Sequence, residues 1–225
     1  MKLVLLSHPR SGSSMIVNAL NSIEGVNMYG ELFVNIANMK NIYKNPHPQQ
    51  VQQDMIVRYV ENGFDNSNKT INQFLDDIYG QNDEFIGFKL LYPHLKRKEG
   101  KNIINYIQNN NIFKIILYRE NKMNQVLSAF TNRKEESIKV NPKVVLEKIR
   151  ILIQEEKKFH NIFCNGNYVK KSYESLTGNR DMNQLDFSWI DKKLGIVDVP
   201  LRKYKNKGIS NIEEIKNLIN KSKII

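Results

Sequence analysis

Hydrophobic and polar positions divide the chain into short apolar runs and longer amphipathic stretches. Residues 2–6 (KLVLL) are a continuous apolar run of the kind a strand buried on both faces requires. From Met15 the period changes, and Met15, Ile16, Ala19, Leu20 and Ile23 fall on one face of a helix. Residues 26–29 suggest a second strand running into Gly30-Glu31-Leu32-Phe33. A less regular region follows, broken at Pro46-His47-Pro48. Val51, Met55, Tyr59 and Val60 suggest a helix ending near Gly63, and residues 66–69 read as a polar turn. Ile71, Phe74, Leu75 and Ile78 then recur at helical spacing. Residues 84–91 (EFIGFKLL) read as a third strand, Ile103, Ile104 and Ile107 as a helix, and residues 112–118 (IFKIILY) as the clearest interior strand after the first. Further helices are predicted over 121–130 and along Val145, Ile149, Leu152 and Ile153, with a weaker strand at 168–172. Ile212, Ile215, Leu218 and Ile219 mark a last helix.

Strands separated by helical patterns argue for an α/β fold, with a parallel sheet flanked by helices. The chain has no internal repeat, low-complexity linker or visible boundary, so a single domain over residues 1–225 is expected. Such sheets bind ligands beyond the carboxyl ends of their strands.

The loop after the first strand lies at one such end. Ser7-His8-Pro9-Arg10-Ser11-Gly12-Ser13-Ser14 joins strand to helix, directing backbone N–H groups and a helix N-terminus at one point. That arrangement suits a phosphate or sulfate group. Pro9 sets the entry of the chain, and Gly12 is expected to let the backbone approach an anion without a Cβ in the way. Ser11, Ser13 and Ser14 bring hydroxyl donors, and Arg10 brings a permanent cation with a forked donor face. A serine-capped turn is the plainer reading, but a cap needs one hydroxyl and this loop has three plus an arginine. The Walker A lysine after the glycine is missing, which weakens an ATP- or GTP-hydrolysing reading.

Lys+Arg 34 against Asp+Glu 23 gives a net charge of +11, which points to an acidic partner: an anionic cofactor, a polyanion or nucleic acid. The positive charge is scattered rather than interleaved with aromatic residues, so nucleic acid is not expected. Cys164 is the only cysteine, which excludes an internal disulfide and a thiolate metal cluster. No His/Cys/Asp cluster has metal-ligand spacing, and no metal is expected. The first apolar run is too short for a signal peptide, and no stretch nears the roughly 20 apolar residues of a membrane span. A cytoplasmic protein is the expectation.

At its anion loop the chain resembles the sulfotransferases that use 3′-phosphoadenosine 5′-phosphosulfate, whose 5′-phosphosulfate loop is commonly written PRSGST. The resemblance implies a P-loop-like architecture and cofactor contacts from His8, Pro9, Arg10, Ser11, Gly12, Ser13 and Ser14. Arg10 would stabilise the leaving phosphate; many relatives carry a lysine there. ILYRENKMNQVLSAF is similar to the family's second segment, in which an arginine ending a strand and a serine in the next helix grip the 3′-phosphate. It implies that role for Arg119 and Ser128, although Arg119 stands nine residues before the serine where eight is the commoner spacing. Gly30-Glu31-Leu32-Phe33 resembles the segment that, in the prokaryotic and carbohydrate-type members, holds the proposed base, which implies that Glu31 accepts the acceptor's proton. Tyr173 in Tyr173-Glu174-Ser175-Leu176 resembles the family's YEDL, where the tyrosine lies near the adenine.

Lys89, in a GFKL segment that also occurs in these relatives, faces either substrate or solvent. His94 and His47 are acceptor contacts or surface or structural residues, and Lys203-Tyr204-Lys205-Asn206-Lys207-Gly208 is either a cofactor-covering loop or a basic surface loop. The acceptor pocket is expected within residues 35–83. The implied reaction is sulfuryl transfer to a hydroxyl or amine of a small-molecule or carbohydrate acceptor. A P-loop-type nucleotide kinase, a basic nucleic-acid-binding module and a family member without activity stand as alternatives.

Overall fold

The structure, a computed structural model, describes residues 1–33, 68–130, 137–177, 184–198 and 208–222. The helix predicted along Val51 to Val60, His47, most of the predicted acceptor region and the run from Lys203 to Lys207 lie outside the described residues.

The first apolar run forms β1 (Lys2–Ser7), the middle strand of a five-stranded parallel sheet. Its neighbours are β3 (Phe85–Leu91) on one side and β4 (Phe113–Tyr118) on the other. Strands β2 (Val26–Glu31) and β6 (Tyr168–Ser172) close the two edges, giving the order β2-β3-β1-β4-β6. Alternate residues of β1 feed two cores, because successive side chains leave a strand on opposite faces. Leu3 and Leu5 join Ile16, Val17 and Leu20 of α1 (Ser13–Leu20), together with Leu185 and Phe187. Val4 and Leu6 join α2 (Asn68–Tyr79) through Ile71, Leu75 and Ile78, and α3 (Gly100–Asn109) through Ile103 and Ile107. Phe159 and Phe163, at the far end of α5 (Pro142–Phe163), complete that side.

The part of the predicted acceptor region that is described, α2, is therefore a sheet-covering helix. A third core unites α4 (Lys122–Leu127), the first half of α5 and α7 (Ile212–Ser222). The short pieces β5 (Ser137–Ile138), β7 (Gln184–Asp186), β8 (Ile196–Asp198) and β9 (Gly208–Ile209) were not legible in the hydrophobic pattern, since a bridge of two or three residues leaves no period to read.

The helix predicted over 121–130 is shorter. It stops at Leu127, where Ser128 Oγ donates to the Gln125 carbonyl and the N–H groups of Ala129 and Phe130 fold back onto the carbonyls of Val126 and Leu127. Such three-residue bonds tighten and end a helix. Among the described residues no helix is long and apolar enough to cross a membrane.

Connectivity places the site. From β1 the chain crosses to the β2 edge; from β4 it travels to β6 on the opposite side. The loops leaving these adjacent strands therefore part in opposite directions, and open parallel sheets have their binding crevice at that switch point.

Candidate active site

On the β1 side of the crevice, residues 8–12 turn sharply into α1. Arg10 has φ 63° and Gly12 φ 89°, both left-handed. That conformation is strained for arginine, and such strain persists where the surroundings over-determine it. Gly12 is required for a reason its position in the motif does not reveal. A Cβ there would stand 2.2 Å from Cδ2 of Tyr173, so the tyrosine ring, in addition to any anion, needs the missing side chain.

No side chain caps α1. Among the described residues no backbone carbonyl accepts from the N–H groups of Ser11, Gly12, Ser13 or Ser14. The Ser11 hydroxyl is wholly buried without a hydrogen-bond partner. Buried polar groups normally find partners, so this cradle of unused donors fits a phosphate or sulfate.

The β4 side brings the second cation. Arg119 follows the strand, and its Nη1 donates to the Arg10 carbonyl at 3.4 Å. Arg10 Nε in turn donates to Ser128 Oγ at 3.3 Å. The sulfotransferase resemblance implies opposite ends of a cofactor for Arg10 and Ser128; the fold bonds them to each other, so the two segments share one edge of the crevice. Gln125, buried on α4, ties the segments together by donating from Nε2 to the Pro9 carbonyl at 3.0 Å. Tyr173, the first residue of α6 (Tyr173–Thr177), lies with its ring against Gly12 and 5.0 Å beneath the Arg119 guanidinium. Arg10, Ser11, Gly12, Arg119, Ser128 and Tyr173 are thus brought together.

Glu31 reaches the same edge through an irregularity. Tyr29 pairs with Phe88 but Glu31 pairs with Lys89, so Gly30 is an extra residue in the β2 ladder. Strict alternation would send Glu31 to the face of Tyr29; the bulge turns it to the face of Lys89. Lys89 is buried, its ammonium 2.9 Å from Glu31 Oε1 and donating to Ser14 Oγ at 3.0 Å. One lysine therefore bridges the anion loop and the carboxylate, and its burial excludes the solvent-facing reading of Lys89. His94 is also buried, in the 3₁₀ turn after β3, with Nε2 3.6 Å from Glu31 Oε2. About 30% of the Glu31 side chain stays open to solvent, which leaves it reachable by an acceptor.

His8 is not brought to the crevice. Its imidazole is buried edge-on to Tyr92, with Nε2 3.5 Å from Glu155 on α5. Pro9 offers its carbonyl to Gln125 rather than anything to the crevice.

Burial pulls the His8 imidazole down to about 4, against Glu155 and helped by Lys122 and Lys96. Burial does the same to His94, to about 4, against Glu31 and helped by Arg97 and Lys89. Both are neutral at pH 7. In the unfolded chain they take up protons near pH 6.5, whereas the folded protein resists until about pH 4, so stability falls as pH drops through that interval. Each histidine contributes about 3 kcal/mol to that loss by pH 4. Urea unfolding of wild type and His94→Asn at pH 7, 5 and 4 should show about half of this histidine-linked slope removed by the substitution; equal slopes would show that His94 titrates normally.

Sequence reasoning assigned no role to Gln125 or Glu174 and did not see the bulge at Gly30. The first two look like ordinary helix polar residues, and a bulge is decided by pairing with a strand far along the chain. Among the described residues no group of three His, Cys, Asp or Glu side chains is placed to hold a metal ion.

Fold and site define an α/β protein with two cationic segments and a lysine-bridged carboxylate at the switch point of a parallel sheet. No protein-family model matches the chain, and no curated protein matches it.

Proposed function

We propose that the protein is a sulfotransferase that moves a sulfuryl group from 3′-phosphoadenosine 5′-phosphosulfate to the hydroxyl or amine of a small-molecule or carbohydrate acceptor. The observation that carries this reading is the position of Lys89, in contact with Ser14 of the anion loop on one side and Glu31 on the other. A donor loop and a proton acceptor joined by one buried cation are what transfer between an anionic donor and a hydroxyl needs. The strand order and the pair of arginine segments support a P-loop-like sulfotransferase architecture.

In this reading the loop N–H groups, the Ser11 hydroxyl and Arg10 hold the 5′-phosphosulfate. Arg119 and Ser128 hold the 3′-phosphate, and Tyr173 stands beside them. Arg10 is exposed, so its long side chain has room to turn toward a ligand. Glu31 accepts the acceptor's proton as the acceptor oxygen forms its bond to sulfur and the sulfur–oxygen bond to the 5′-phosphate breaks. Lys89 and Arg10 stabilise the charge that collects on the sulfuryl and leaving oxygens, more in the transition state than before it. His94, buried and neutral beside Glu31, would act on the acceptor only through that carboxylate.

A calorimetric titration tests the reading. 3′-phosphoadenosine 5′-phosphate should bind at micromolar concentration or below, with ATP–magnesium failing to displace it. Preference for ATP–magnesium would favour the kinase reading instead.

A further inference from the structure

At the carboxyl end of the edge strand β6, two consecutive residues reach both loops of the crevice. Tyr173 packs on Gly12 of the first, and Glu174 clasps the second. Glu174 Oε2 accepts the N–H of Glu120 at 2.8 Å, and Oε1 accepts the N–H of Asn121 at 3.2 Å. The same Oε1 faces Nε of Arg119 at 3.6 Å, and that Nε is buried with no hydrogen-bond partner. Arg119 is thereby held on three sides: Glu174 at Nε, the Tyr173 ring beneath its plane, and the Arg10 carbonyl at Nη1. A guanidinium has more N–H donors than these contacts use, and the remaining ones are those at the tip of the fork.

We infer that Glu174 is a positioning residue for Arg119. It fixes the Nε edge and the two backbone N–H groups that directly follow Arg119, so that the free end of the fork is set for a phosphate before one arrives. The inference deepens the proposed function and rests on it for the identity of the anion, the cofactor's 3′-phosphate. A carboxylate at an anion site repels its ligand as well as ordering its partner, and preorganisation is inferred to win here. An arginine side chain left free loses substantial rotamer entropy on binding, and a clasped one has already lost it.

The experiment is a double-mutant cycle read by calorimetry, with Glu174→Gln, Arg119→Ala and the pair. Glu174→Gln should weaken 3′-phosphoadenosine 5′-phosphate about tenfold, the scale of one hydrogen bond to a charged group. It should cause no further loss in the Arg119→Ala background, and it should leave adenosine 5′-phosphate, which has no 3′-phosphate, unchanged. Unchanged or tighter binding by Glu174→Gln overturns the inference, as does an equal loss in both backgrounds or with both nucleotides.

A second readout needs no nucleotide. The Arg119 Nε–H should exchange with solvent at least tenfold faster in Glu174→Gln than in wild type. If wild type fails to bind the bisphosphate, the sulfotransferase reading fails, and this exchange rate alone decides whether Glu174 holds Arg119. Equal rates refute it.

Discussion

Glu31→Gln should lower the turnover of sulfuryl transfer by about 10³-fold, within the range that a positioned general base contributes. The amide has nearly the same shape and keeps a carbonyl oxygen for Lys89, so the fold and the anion loop should be undisturbed. Affinity for 3′-phosphoadenosine 5′-phosphate should therefore stay within about twofold of wild type. The contrast is the informative part. A loss in turnover without a loss in binding places Glu31 in the transition state, whereas a parallel loss in both would make it a structural partner of Lys89. Wild-type turnover in the variant would remove Glu31 from the chemistry altogether. Lys89 makes the prediction asymmetric, because its ammonium lies 2.9 Å from the carboxylate and 3.0 Å from Ser14. A neutral side chain at position 31 frees that cation to bind the donor loop more strongly, so any change in cofactor affinity should be a gain.

Arg119→Ala should weaken binding of 3′-phosphoadenosine 5′-phosphate about 100-fold, on the order of 3 kcal/mol, because it removes one partner of a close charge pair in a partly enclosed site. Arg119→Lys should recover only part of that loss. The ammonium restores charge but not the planar fork, nor its stacking 5.0 Å above Tyr173. Calorimetry at two salt concentrations separates the contributions: the alanine variant should show the shallower salt dependence, having one cation fewer in the site. Binding unaffected by Arg119→Ala would mean that the β4 loop takes no part, and with it the assignment of Ser128 would fall.

The hydrophobic pattern alone carried the core of the fold. All three interior strands, the first helix and the helix of Ile71, Phe74, Leu75 and Ile78 were readable, because each buries a face whose period is local. The β6 strand was fainter for the same reason: as an edge strand it buries only Ser172 fully and leaves Tyr168 exposed. Of the candidate site, the anion loop, Arg119, Glu31 and Tyr173 were visible as residue types in a suggestive order. Ser128 was placed within a predicted helix and instead follows its end, where its hydroxyl faces Arg10.

Sequence by itself determined which residues are able to carry charge or donate hydrogen bonds, and that an apolar run, a small-residue loop and a helix follow one another at residues 2–20. Only the tertiary structure decided what those groups meet. The burial of Lys89 between Ser14 and Glu31, the side to which the Gly30 bulge turns Glu31, the ring of Tyr173 over Gly12 and the clasp of Glu174 on the β4 loop each join positions more than 50 residues apart or depend on such a pairing. Period and propensity act over one or two turns of chain. Contacts across a parallel sheet are set by strand order and register, which no local stretch encodes.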